Sequence, residues 1–142
     1  MTKILFVCRA NVGRSQMAAA FYNKFTGTHD ADSAGTKVDV PGETLLERFN
    51  RNEQTYTLGV MEDDGINISN SIRTQLTQNM LDNYDTIINM AEPENTPEWL
   101  SAHPKYTYWE VTDPGAKSLE ATAIAKDIIK SKVQDFISQS KV

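Results

Sequence analysis

The stretch KILFVCRANVGRSQMAAAF, residues 3 to 21, constrains the fold of this chain more than any other. KILFV is a short unbroken apolar run of strand-forming residues, the pattern of a strand buried on both faces. SQMAAAFYNKF is alanine-rich, with Met17, Ala20, Phe21 and Phe25 near helical spacing, and Thr26-Gly27 supplies a stop. Between the two runs a turn goes from Cys8 to Arg14, and Ser15 opens the helix. The chain therefore starts as strand, turn, helix.

The remainder continues that alternation. DADSAG, residues 30 to 35, reads as a second strand ending at Gly35, followed by a loop through Pro41-Gly42. ETLLERF and LGVMEDDG read as two short helices, the latter closed by Gly65, and the segment 36–65 is the least defined part of the pattern. SIRTQLTQNML predicts an amphipathic helix on Ile72, Leu76 and Leu81, with Ser69 or Ser71 as its N-cap. YDTIINM (84–90) and YTYWEV (106–111) read as strands, and TDPGAK after them as a turn. The last segment predicts a long helix with Ile124, Ile128, Ile129, Val133, Phe136 and Ile137 on one face. Strands alternating with helices imply an α/β fold, a parallel sheet covered on both faces. Its ligands would bind beyond the carboxyl ends of the strands, where Cys8 and Asp113 both fall.

A chain of 142 residues suits one domain, spanning 1–142, and its 39% hydrophobic and 23% charged content is ordinary for a globular protein. Nothing approaches the run of about 18 apolar residues of a membrane span. MTKILFVC has a short apolar core and no small-residue cleavage site, so it reads as a first strand and not a signal peptide, and a cytoplasmic protein is expected. The net charge of −5, with lysines and arginines scattered except for Arg9 and Arg14, argues against a nucleic-acid partner. The single cysteine cannot form an internal disulfide, and a reducing compartment keeps its thiol free.

A turn of this length at a helix N-terminus can aim backbone N–H groups inward as an anion nest, to which the helix dipole adds positive potential. The same field favours a thiolate at its centre. Arg14 can clamp two oxygens of a phosphate through its planar fork while the N–H groups follow the equatorial oxygens of the transition state, which suits phosphoryl transfer to Cys8. Arg9, Ala10, Asn11, Val12, Gly13, Arg14 and Ser15 make up this phosphate-binding stretch; Arg9 also has the plainer reading of a solvated loop arginine. Asn11 tolerates the left-handed backbone such a nest requires, and Ser15 can donate a hydrogen bond to the thiolate. Displacing an alkoxide or phenoxide also needs a proton donor, and Asp113, restricted by Pro114, is suited to hold a carboxyl at the mouth of the sheet. That carboxylate could then deprotonate the water that hydrolyses the thiophosphate.

Each of these residues has a plainer reading. A lone cysteine at a strand end is by default a small buried hydrophobe, and Asp-Pro-Gly alone is a turn. The combination of Cys8, Arg14, Ser15, a strand–helix junction and a late Asp-Pro favours the site. VGRS lacks the earlier glycine and the lysine of a nucleotide phosphate loop. His29 and His103 have no ligand partners at useful spacing, so no metal is expected. Glu62, Asp63 and Asp64 read as a solvated helix end, Trp99 and Trp109 as core or rim packing, with Trp109 near enough to Asp113 in sequence to line the mouth.

VCRANVGRSQMA, DSAGT, NMAEPEN and WEVTDP together resemble, in order and spacing, the low-molecular-weight protein tyrosine phosphatase superfamily, including its arsenate reductase branch. The resemblance covers nearly the whole chain and is weakest over 36–65, where this sequence carries what reads as an insertion. It implies a three-layer domain with a four-stranded parallel sheet in the order 2-1-3-4, nucleophile Cys8, phosphate-binding Arg14, general acid Asp113, supporting Asn11 and Ser15, and no metal or organic cofactor. Asn70 stands where the phosphatases often have a histidine that steadies the loop, and could steady it by hydrogen bonds. Gly13 stands where many of them have a second cysteine, so Cys8 lacks a local disulfide rescue from oxidation. Gly115 and Ala116 replace the tyrosines that stack on aryl substrates, which leaves a phosphotyrosine preference open. RSQMA and YWEVTDPGAK are similar to the arsenate reductase branch, yet NMAEPENTPEW carries no cysteine, so arsenate reduction would need an external thiol with a redoxin. The expected function is cysteine-dependent hydrolysis of a phosphorylated protein or small phosphate ester. The alternatives are arsenate–thiol transfer and a non-catalytic oxyanion-binding regulatory module.

Overall fold

Strand β1, Ile4–Cys8, runs through the middle of the sheet with all five residues buried. The computed structural model describes residues 2–115 and 118–140. On one side β1 pairs in parallel with β2, Ala31–Gly35, in a register that sets Cys8 opposite Gly35; on the other it pairs in parallel with β3, Thr86–Asn89. A short β4, Tyr106–Tyr108, extends the sheet beside β3, giving the order β2-β1-β3-β4. The central position explains why KILFV is apolar throughout. Ile4 and Phe6 enter one core with Met17, Phe21, Met61, Ile88, Ile129 and Val133, whereas Leu5 and Val7 enter a second with Ala34, Leu81, Ile87 and Leu100.

Helices supply the two outer layers. The first core is closed by α1, Arg14–Thr26, by α3, Tyr56–Asp63, and by α5, Leu119–Ser140, with α1 and α3 both packed on α5. A 3₁₀ turn at Gln78–Asn83 and the short α4, Glu98–Ser101, cover the second. Helix α2, Leu45–Asn50, begins at a capping box in which the Thr44 hydroxyl accepts from the Glu47 N–H (3.1 Å) and the Glu47 carboxylate accepts from the Thr44 N–H (2.9 Å). Gly27 ends α1 in the left-handed conformation, φ 68°. Among the described residues no helix is long and apolar enough to cross a membrane.

The structure departs from the sequence pattern in three places. Residues 71–77 are extended, not helical, and neither Ser69 nor Ser71 caps a helix: their carbonyls accept from the N–H groups of Leu46 and Leu45. Thr74 and Leu76 bond to Gly35 at the end of β2, so the edge of the sheet takes the backbone groups a helix would have used. Strand β4 stops at Tyr108 instead of 111, since the N–H of Trp109 takes the carbonyl of Asn89, where β3 ends. On α5 Ile129 and Val133 are buried and Phe136 and Ile137 pack against the core as predicted, but the buried face also runs through Thr122, Ala125 and Lys126, while Ile124 and Ile128 are 54% and 43% exposed. On this face Lys126 reaches Asp64 at 3.1 Å. Asp64 is thus no solvated helix end: Lys130, against the cost of burial and together with Lys126, holds its carboxyl below the usual carboxylate range.

The two isoleucines separate the readings of α5. Ile129→Ala should cost about 2–5 kcal/mol by removing a fully buried side chain, and Ile124→Ala should stay within about 0.5 kcal/mol. Denaturant unfolding of both variants measures the difference, and equal losses would contradict the observed face.

Candidate functional site

In the loop between β1 and α1, five of the six carbonyls from Cys8 to Gly13 are satisfied one by one. Cys8 O accepts from the Thr36 N–H (2.9 Å), Arg9 O from Lys37 N–H (2.8 Å), Asn11 O from the Gln16 amide (3.2 Å) and Gly13 O from Met17 N–H (2.9 Å). Ala10 O accepts from two nitrogens of Arg73, at 2.9 and 3.3 Å. Among the described residues no protein acceptor takes the backbone N–H groups of residues 10–15. Donors left over in this way at the start of a helix are what an oxyanion needs. Gly35 lets the loop lie on the end of β2: a Cβ there would stand 2.6 Å from Arg9 O and 2.9 Å from the Asn11 nitrogen.

Asn11 is fully buried and left-handed, φ 56°. Its amide nitrogen donates to Ser15 Oγ (2.7 Å) and Ser33 Oγ (3.0 Å), while its Oδ1 accepts from Thr74 N–H (2.8 Å). Ser15 Oγ in turn lies 2.9 Å from Cys8 Sγ, and Cys8 is 3% exposed. With Asn11 donating into its oxygen, the Ser15 hydroxyl has its own proton available for the sulfur.

Arg14, 2% exposed, is anchored along one edge. Its Nη1 donates to the carbonyls of Met90 and Val111 and to Glu92 Oε2 at 2.9 Å, while Nη2 faces Asp113 Oδ2 at 3.7 Å. Burial pushes the Glu92 carboxyl up, but the Arg14 hydrogen bond and guanidinium charge prevail and hold it below the usual range. Asp113 is exposed, and its Oδ1 accepts from the N–H of Gly115, which leaves Oδ2 facing the loop. Cys8, Arg9, Ala10, Val12, Gly13, Arg14, Asp113, Pro114 and Gly115 line one cleft of about 180 Å³ with Arg48 of α2 and Thr57 of α3. Among the described residues no three His, Cys, Asp or Glu side chains converge as a metal cluster.

Other expectations fare differently. Asn70 is exposed, and the loop is steadied instead by Arg73 and Gln16. Trp109 packs on Phe6 and Phe136, ring centroids 5.8 and 6.1 Å away, and is not among the residues lining the cleft. His29 is exposed, and His103 accepts from the Lys105 N–H (3.2 Å). Ala116 and Lys117 of the TDPGAK turn lie outside the described residues. Sequence reasoning missed Arg73, Glu92, Arg48 and Thr57, none of which stands in a local pattern with Cys8; the segment 36–65 supplies two of them.

Arg73 is buried in a charge cluster, paired with Glu43 and with Asp39 at 2.7 Å, and Glu43 also takes Arg51 at 2.9 Å. The hydrogen bond from Arg51, opposed by burial and reinforced by Arg73, holds the Glu43 carboxyl below its ordinary 4.5. The unfolded chain therefore protonates there first, so the stability Glu43 contributes is complete above about pH 4.5 and is lost as pH falls through the lower folded value. Glu43→Gln should destabilise by up to about 3 kcal/mol at pH 7, and its melting temperature should converge on that of the parent between pH 5 and 3. Parallel melting curves across that range would contradict the linkage.

Residues 3–141 match the low molecular weight phosphotyrosine protein phosphatase family. The chain is 27% identical to the glutaredoxin arsenate reductase of Synechocystis sp., covering 98% of each chain. Its fold superposes on Wzb of Vibrio vulnificus in complex with benzylphosphonate with a TM-score of 0.81 at 22% identity, over 97% of this chain and 98% of that one. An arsenate reductase in the phosphate-binding state gives a TM-score of 0.75 at 25% identity, over 98% of both. The match spans β1 to the end of α5 and includes the whole of the cleft, and the chain belongs to the low molecular weight phosphotyrosine protein phosphatase family.

Proposed function

We propose that the chain hydrolyses phosphate monoesters in the cytoplasm through a phosphocysteine on Cys8. The observation that carries this reading is the contact of Cys8 Sγ with Ser15 Oγ, 2.9 Å, at the foot of a loop whose N–H groups at residues 10–15 have no protein acceptor among the described residues. The Cys8 thiolate attacks phosphorus, and the ester P–O bond breaks as the S–P bond forms. Arg14 offers its Nη2 edge to the equatorial oxygens, since Nη1 is already held by Met90, Glu92 and Val111. Asp113 gives its proton to the departing oxygen and then takes one from the water that cleaves the S–P bond, which releases phosphate and returns the thiolate.

The similarity to a glutaredoxin arsenate reductase supports a second reading, in which arsenate condenses on Cys8. An external thiol attacks the sulfur, the new S–S bond supplies two electrons, and As(V) leaves as arsenite; a redoxin then reduces the mixed disulfide and frees Cys8. The chain has no second cysteine, so both thiols come from outside.

Assaying an aryl phosphate beside arsenate, the latter with several thiol donors and a redoxin, separates the readings. Steady release of phosphate that is abolished in Cys8→Ser is expected; arsenate-dependent consumption of reductant with no esterase activity would replace the first reading by the second. Asp113→Asn should slow alkyl phosphates about 100-fold or more and p-nitrophenyl phosphate much less. Equal slowing of both would remove Asp113 from the proton-donor role.

A further inference from the structure

The cleft holds three arginines against one aspartate and, among its lining residues, no aromatic side chain. Arg14 and the loop N–H groups account for one oxyanion. Arg48 is spoken for on one side only: its Nη1 donates to Gln54 O and Thr55 Oγ1, both at 2.7 Å. Among the described residues its Nε is buried without a hydrogen-bond partner, and Nη2 has Glu53 at 3.9 Å, itself half exposed. Nε and Nη2 form the edge of the guanidinium that grips a carboxylate or phosphate with two parallel hydrogen bonds. A buried donor left unpaired is costly, and the Arg48 side chain as a whole is 16% exposed and lines the cleft. Burial first, then the neighbouring Arg73 and Arg51, make the Arg48 charge harder to hold, with Glu53 and Asp39 opposing. Thr57 opens the same wall towards the loop, its Oγ1 3.7 Å from where a Gly13 Cβ would stand.

We infer that Arg48 is a specificity-determining residue for a second anionic group, so that the preferred ligand carries a carboxylate or a second phosphate on the group bound through its phosphoryl end. The inference rests on the cleft being the phosphoryl site, as in the reading above, but not on turnover. An apolar phosphoaryl group would find no aromatic wall and would leave the Arg48 edge unpaired. A ligand with a second anion satisfies it.

Binding of unreactive phosphonates tests this without any bond being broken, so the result is independent of whether Cys8 turns over an ester. Benzylphosphonates carrying a carboxylate at the meta or the para position are compared by calorimetry with their uncharged carboxamides, and with analogues carrying a second phosphonate. In the parent protein at least one charged analogue should bind about tenfold tighter than its amide. The ratio should fall to within about threefold in Arg48→Gln and to an intermediate value in Arg48→Lys, which keeps the charge and loses the fork. The carboxylate and phosphonate arms identify which second anion fits better. No preference in the parent overturns the inference whatever the variants do, and so does a preference that survives in Arg48→Gln but collapses in Arg9→Gln.

Discussion

Aiming a run of backbone N–H groups into a cleft has a corollary: carbonyls of the same peptides turn towards the protein and need donors there. From Cys8 to Gly13 five of the six carbonyls find donors, of which Thr36 and Lys37 lie just past β2, Gln16 and Met17 lie in α1, and Arg73 lies in the extended segment that follows α3. Most of the remaining architecture can be understood from that requirement. Parallel pairing of β1 with β2 brings Gly35 opposite Cys8 and sends the chain past the loop, and the absence of a side chain at Gly35 permits the approach. The extended run at 71–77 exists because it serves both β2 and the loop: Thr74 donates to Asn11 and its carbonyl accepts from Gly35.

What could be read from the sequence follows the range of the interactions. Cys8, Asn11, Arg14 and Ser15 fall within one turn of chain, so their spacing alone carried the strand–turn–helix geometry and the left-handed backbone at Asn11. Sheet order came with the resemblance, since periodicity by itself leaves the order of parallel strands open. Arg73 and Glu92 were out of reach because they act across 63 and 78 positions of sequence. The amphipathic spacing of Ile72, Leu76 and Leu81 predicted a helix, yet Ile72 is 56% exposed and only the latter two are buried. There a tertiary demand, donors for the loop and an edge for β2, overrode a local period. On α5 Ile129, Val133, Phe136 and Ile137 face the core as their spacing predicts, whereas Ile124 and Ile128 are exposed and Ala125 and Lys126 are buried instead, Lys126 paired with Asp64, which apolarity alone could not reveal.

The two carboxylates near Arg14 divide its work by position. Glu92 sits behind the guanidinium and shares Nη1 with two carbonyls, which fixes the plane of the fork and leaves the opposite edge facing the cleft. Asp113 is in front, exposed, with one oxygen tied to Gly115 and the other 3.7 Å from Nη2. A phosphoryl group entering between them would exchange that weak ion pair for its own charge-assisted bonds to Nη2.

The segment 36–65, the least legible part of the chain, is tied to this site by charge as well as by the apolar packing of Leu45, Val60 and Met61 in the first core. Glu43 pairs with Arg73, which holds the Ala10 carbonyl, and also with Arg51, the C-cap of α2, on which Arg48 is carried. One carboxylate thus couples the floor of the cleft to its wall, so the positions of the loop and of Arg48 are set by the same buried cluster. Ionic links of this kind are weak evidence for added stability, because desolvation offsets much of the attraction. Their geometry is demanding, however, and a planar guanidinium held on two sides defines orientation far better than an alkyl contact would. A chain of net charge −5 that keeps three arginines around a small cleft has a reason to spend such residues on orientation. Beyond about 8 Å the acidic surface is screened by physiological salt, and at contact distance what decides binding is where each fork points.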